Sequence, residues 1–257
     1  MAPGFPHSLF EKLAAVVNAE VSYDETMSGP APGHDPFADG SFDLGWICST
    51  SFVDLATRSD EPSIQLAGIA WVPDDPDSNG QPVYFGDIIT QSDSGITSFD
   101  DLAGKRIGCN DPVSLSGFHS LRFALRDRGL ADDFVEIEFT GGHHSSIDGL
   151  LAGNLDAAIV DSVVRTSRAR LDPNVAEFHI VERLGPWPVQ PLVARSTLDA
   201  ASVDEVRRLL LDASANPEIQ AELEAASLSH LVEVGPDHYA AVRSMMRKFN
   251  CFGSYES

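Results

Sequence analysis

The sequence predicts an α/β fold with largely parallel sheets, and three observations point to it. Strand-like apolar runs alternate with helical patterns between residues 84 and 162. Gly104 and Gly129 stand where two of those helical patterns end. The length, 257 residues, suits one large domain or two modest lobes with a core that needs no disulfide or metal staple.

Taken in order, Ser8 is the expected N-cap of a helix expected over 8–17, where SLFEKLAAVV sets apolar groups at helical spacing. A short strand is expected at 21–23. SGPAPGHDPFADG, 28–40, is dense in Gly and Pro and reads as loop. FDLGWICS, 42–49, reads as a buried strand, followed by a short helix through 53–57. Another apolar run covers 64–72 and closes at the turn-rich PDDPDSNGQP, and YFGDIIT, 84–90, is again strand-like. A short helix over 98–106 then leads into a strand, RIGC. Residues 118–128 form a helix stopped by Gly129, 134–139 a strand, 145–152 a helix and 155–162 a strand. Past PWPVQPLVAR the chain reads as mainly helical, at 203–213, 217–226 and 237–249. No internal repeat or low-complexity tract is present.

Composition excludes several classes. Seventeen Lys and Arg against 39 Asp and Glu leave a formal net charge of −22. That balance repels a phosphate backbone and an anionic membrane, so neither nucleic acid nor direct membrane insertion is expected. A hydrophobic content of 43% is that of a globular protein. Cys48, Cys109 and Cys251 are odd in number and widely spaced, which fits neither a disulfide framework nor a zinc site. No metal and no cofactor are expected. The N-terminal residues lack a basic region followed by a continuous apolar one, and no run approaches the length of a membrane span. The chain as written therefore reads as cytoplasmic, or as an extracytoplasmic mature form whose leader was removed.

Three segments carry chemistry. In CNDPVSLSGF a strand ends, Pro112 enforces a turn, and Ser114 and Ser116 lead through Gly117 into a helix. Free N–H groups, the helix dipole and two hydroxyls make a neutral cradle for phosphate, phosphonate or carboxylate. The same pattern also serves a serine that only caps the helix, worth about 1 kcal/mol. FTGGHHSS is a second strand-to-helix turn. One of His143 and His144 is expected in a crevice and the other exposed, as a donor to an anion, a proton-transfer group or a metal ligand. In GNLDAAIVDS, Asp161 ends a strand, where it accepts from an amine or hydroxyl of a ligand or caps the next segment.

These segments, with VYFGDIITQSDSGITSFDDLAGKR and SFDLGWICSTSF, resemble the phosphate/phosphonate/phosphite-binding proteins of ABC importers. The resemblance runs in order from about Gly40 to Ser162 and more weakly to the C-terminus. It implies a type II periplasmic-binding-protein fold: two α/β lobes, two crossings near 89–93 and 187–194, and a ligand cleft. Lobe 1 would hold residues 1–90 and 189–257, with an abbreviated N-terminus, and lobe 2 residues 91–188. The family's anion cradle falls on Ser114, Leu115 and Ser116 beside Gly117, its cleft tyrosine on Tyr84, its histidine on His143 and its aspartate on Asp161. An aromatic after the aspartate-leucine motif is replaced by Ile47, and the small residue that follows is Cys48. Leu115 departs from a hydroxyl. Asp87 interrupts a strand that should be buried and is expected to face the cleft, where it needs a partner or a proton.

The function this implies is a solute-binding protein for a small oxyanion or zwitterion, with membrane subunits of an importer as partners. Its net charge favours a zwitterion whose ammonium Asp161 holds. The runner-up is an intracellular enzyme of lyase or dehydratase type on the same fold, using His143, Asp161, Asp87 and Cys48. Cys48 then acts as a nucleophile, or is buried and inert. A third reading is a sensor that contacts another chain through Met245, Met246, Phe249 and Phe252, which equally suit core packing.

Overall fold

The computed structural model describes residues 4–23, 27–31 and 33–251. The elements run α1 (His7–Val16), β1 (Leu44–Trp46), α2 (Ser49–Thr57), β2 (Ile64–Leu66), β3 (Ile69–Pro73), β4 (Val83–Thr90), β5 (Arg106–Cys109), α3 (Ser120–Asp127) and β6 (Glu136–Phe139). They continue with α4 (His143–Leu151), β7 (Ala157–Asp161), α5 (Ser162–Leu171), α6 (Pro173–Ala176), β8 (His179–Pro188), β9 (Leu192–Arg195), α7 (Ala200–Ala213), α8 (Pro217–Ala225), β10 (Leu228–Glu233) and α9 (Ala240–Lys248). Two compact units divide the chain: Met1–Val83 with Pro188–Ser257, and Tyr84–Trp187. The first passage between them falls at Val83, not at residue 90. The reason is that β4 pairs with β7 from Gly86 to Ile89, so its ladder belongs to the second unit.

In the first unit β9 lies between β1 and β2, antiparallel to both, and β10 pairs antiparallel with β3. The core is aromatic. Trp46 and Trp71 stack with centroids 5.5 Å apart, and Phe10 from α1 packs on both. The helical spacing of Leu9, Phe10 and Leu13 buries that face of α1. Residues 21–23 are irregular rather than a strand. The loop after them is anchored: Cys48 N–H donates to the Ser28 carbonyl at 2.9 Å. Asp35 accepts from the Phe37 and Ala38 N–H groups and from the Ser63 hydroxyl. At the far end of the chain Val242 and Met246 are core residues of this unit, while Phe252 lies outside the described residues.

The C-terminal third is less helical than its composition suggests. LSHLVE buries Leu228 and Leu231, three residues apart rather than at strand period, and is drawn into a strand by its ladder with β3, whose register shifts between Leu228 and His230. Aspartate and asparagine caps start α7 and α8, with Asp199 accepting from Ser202 N–H and Asn216 from Glu218 N–H. The helix expected at 237–249 is a 3₁₀ turn, Pro236–Tyr239, followed by α9.

The second unit is a five-stranded sheet in the order β6-β5-β7-β4-β8. β5 is parallel to β6 and β7, and β4 runs antiparallel to β7. Strand alternation sorts the core onto two faces. Ile88, Ile107 and Ile159 pack with Leu121 and Leu125 on one, and Ile89, Ala158 and Val160 with Ile147 and Leu150 on the other. The helix expected over 98–106 is a 3₁₀ turn, Phe99–Leu102, held by a Ser98–Asp101 capping box. No helix among the described residues is long and apolar enough to cross a membrane.

Candidate functional site

In the second unit the carboxyl ends of β5, β6 and β7 deliver three helix starts to one end of the sheet, where open α/β sheets bind ligands. After β5, Asp111 Oδ1 accepts Val113 N–H at 2.9 Å and Asp111 Oδ2 accepts from Asn110 Nδ2 at 2.8 Å. The helix expected from residue 118 starts earlier, as a π-helical turn, Leu115–His119, that runs into α3. Ser114 caps this turn, its Oγ accepting Gly117 N–H at 3.1 Å. The capping role expected as one alternative is therefore filled. It uses the oxygen as acceptor and leaves the hydroxyl able to donate. Leu115, Ser116 and Gly117 follow, all buried.

After β6, Gly141 takes φ +86°, a left-handed conformation that suits glycine, and α4 begins at His143, two residues before its expected start. His143 is buried and His144 exposed. The His143 Nδ1 accepts the Asp161 backbone N–H at 3.3 Å, so the neutral ring carries its proton on Nε2. Burial, with a smaller contribution from His144, pushes the His143 pKa down to about 3. The ring is thus a neutral donor rather than a cation at ordinary pH.

After β7, Asp161 caps α5, its Oδ1 accepting Val163 N–H at 2.8 Å and Val164 N–H at 3.4 Å. Its register partner on β4 is Gly86. A Cβ on Gly86 would lie 2.5 Å from the Ser116 carbonyl oxygen and 2.7 Å from Ser120 Oγ. Glycine there lets β4 press against the turn that follows Ser114. Gly117 is equally tight: a Cβ would overlap Asn110 Oδ1 and come within 2.7 Å of His143 Cε1. Tyr84, buried, lies two residues before Gly86 on the same face of β4. Tyr84, Ser114, Leu115, Ser116, Gly117, His143 and Asp161 therefore gather at one end of one sheet. Ile47 and Cys48 belong to the first unit, at the end of β1 and the start of α2. Both are buried, and Thr50 Oγ1 donates to Cys48 Sγ at 3.2 Å.

Asp87 is the correction. It is fully buried on the opposite face of β4 from Gly86, and is gripped by Arg165 Nε at 2.6 Å and Arg183 Nε at 2.9 Å. Arg183 also stacks over the Phe85 ring, on that same face. The strand alternation that directs Gly86 toward Ser116 turns Asp87 away from it, so its carboxylate is engaged by arginines rather than offered to chemistry with His143. Asn110, Asp111 and Ser120 are buried in the site, yet sequence reading did not single them out. The polar Asn-Asp-Pro step directly after an apolar strand was the signal available for the first two.

Two α/β units, with helix starts collected at strand carboxyl ends, are the construction of a type II periplasmic binding protein. A sequence model of the family described as "ABC transporter, phosphonate, periplasmic substrate-binding protein" matches residues 9–239, and the chain belongs to that family. It is a solute-binding protein. Its fold is similar to that of a binding protein component of a phosphonate ABC transporter from Pseudomonas aeruginosa, at TM-score 0.74 and 16% identity over 97% of this chain and 84% of that one. PhnD1 of Prochlorococcus marinus, solved in complex with methylphosphonate, matches at TM-score 0.73 and 16% identity over 95% of this chain and 91% of that one. The aliphatic sulphonate binding protein SsuA of Escherichia coli matches at TM-score 0.57 and 15% identity, over 96% and 87%.

Proposed function

We propose that this protein binds a small phosphonate-bearing zwitterion for an ABC importer, outside the cytoplasm, and that the sheet end of the second unit is its anion site. The observation that carries this reading is the junction of Gly117, His143 and Asp161, where the start of α4 is hydrogen-bonded to the end of β7 and packs closely against the turn at Gly117. In the proposed complex the hydroxyls of Ser114 and Ser116, the N–H groups around Leu115 and Gly117, and His143 Nε2–H donate to the oxyanion. Tyr84 lines the same end, and Asp161 is the acidic group that favours an ammonium on the ligand. Ile47 and Cys48 of the first unit are proposed as ligand contacts on the family pattern alone.

The site is assigned neutral donors, because His143 is held uncharged and the chain as a whole is strongly anionic. Capture must then come from local N–H and O–H groups rather than from the long-range field. Several such bonds, some charge-assisted, support micromolar affinity, about −8 kcal/mol. Isothermal titration with 2-aminoethylphosphonate, methylphosphonate, phosphate and a short alkyl sulfonate tests the reading. Aminoethylphosphonate is expected to bind tightest. Heat from none of the four would end it.

A further inference from the structure

A separate cavity of about 490 Å³ opens in the first unit, within the size range of small-molecule sites. Phe52 of α2, Ile64 and Leu66 of β2, and Pro236 give it apolar walls, while Arg207 of α7 and Arg243 of α9 bring two guanidinium groups against one exposed carboxylate, Glu233 of β10. The two arginines differ. Arg207 is occupied, its Nε donating to the Ala67 carbonyl at 2.7 Å and its Nη1 pairing with Asp204 at 2.6 Å. Arg243 Nε is buried, and among the described residues it meets no acceptor. No carboxylate pairs with Arg243 among them either, in a chain with 39 acidic residues. A desolvated guanidinium N–H without an acceptor is unfavourable, and a planar donor fork matches a carboxylate bidentately.

We infer that this cavity is a binding site for a small organic carboxylate with an apolar body. Its carboxylate pairs with Arg243, Arg207 adds positive field, and the body rests on Phe52, Ile64, Leu66 and Pro236. An inorganic anion satisfies the guanidinium but leaves the apolar walls wet, so hydrophobic burial selects the organic acid. The site lies within the first unit alone and does not depend on the ligand proposed for the sheet end of the second.

Titration of the full chain with phenylacetate, phenylacetamide and sodium sulfate tests this. Phenylacetate is expected to bind with one-to-one stoichiometry, and phenylacetamide and sulfate at least tenfold more weakly. Arg243→Met should weaken phenylacetate at least tenfold without changing the titration with methylphosphonate. Arg243→Lys should retain part of the affinity, and Ala56→Asp, which adds a second carboxylate to the lining that already holds Glu233, should weaken phenylacetate at least tenfold. These two variants decide the matter if Arg243→Met does not fold. The inference is overturned by absence of phenylacetate binding to the folded wild type, by binding unchanged in these variants, by sulfate binding as tightly, or by loss of phenylacetate binding in Ser116→Ala.

Discussion

The imidazole Nδ1 of His143 accepts the backbone N–H of Asp161 at 3.3 Å, tying the start of α4 to the end of β7. One hydrogen bond fixes the tautomer, aims Nε2–H as a donor and sets the ring against Gly117. Buried without charge, the ring also makes stability depend on pH.

His143 and His119 are both held near a pKa of about 3, chiefly by burial. For His119 the positive fields of Arg122 and Arg126 add to this, and its bond to the Pro112 carbonyl opposes it. Both folded-state values lie below the unfolded value of about 6.5. The unfolded chain therefore binds more protons below that pH, and the stabilisation is full above about 6.5 and lost progressively toward 3. Each histidine should contribute a slope of up to about 1.4 kcal/mol per pH unit in that window. Urea denaturation at pH 7 and pH 5 should give a smaller pH dependence for His143→Gln than for wild type. An unchanged slope would contradict the buried neutral ring.

Asp87 bridges α5 and β8 through Arg165 and Arg183. Asp87→Asn leaves two guanidinium groups facing each other without a carboxylate, and should destabilise the protein by about 3–5 kcal/mol. Replacing all three residues by apolar ones of similar size should restore much of that loss. Chemical denaturation of both variants measures the difference.

Ser114 and Ser116 should separate cleanly. Ser114→Ala removes the cap on Gly117 N–H, at a cost of about 1 kcal/mol in stability, and a ligand donor as well. Ser116→Ala removes no cap, so melting should change little while affinity for aminoethylphosphonate falls about tenfold, about 1.4 kcal/mol. Calorimetry beside thermal melting reads both. Equal affinity in Ser116→Ala and wild type would remove Ser116 from the cradle.

Gly117→Ala forces a methyl group into Asn110 and His143, and Gly86→Ala forces one into the Ser116 carbonyl. Each should cost about 1–3 kcal/mol as overpacking and abolish detectable ligand binding. A Gly117→Ala protein that melts and titrates like wild type would show that the junction yields more than its contacts imply.

Much of the second unit is legible from local pattern. The RIGC strand is observed at Arg106–Cys109, and Gly129 takes φ +71° just beyond α3. Apolar periodicity and glycine conformation act over a few neighbours, so such elements need no tertiary information. The start of α4 and the π-helical turn were less legible, because they depend on how Gly117, Asn110 and His143 pack together.

The sequence by itself determined the α/β class, the run of strands and helices from 84 to 162, the three turns that carry polar chemistry and the anionic balance. All of these follow from residue type and short-range order. Only the tertiary structure decided that Asp87 is neutralised by Arg165 and Arg183, residues 78 and 96 positions away. It also decided that β4 belongs to the second unit, that LSHLVE is a strand, and that Arg243 faces a cavity without a partner among the described residues. Each of these depends on which distant backbone or charge a residue meets, and local spacing carries no record of that.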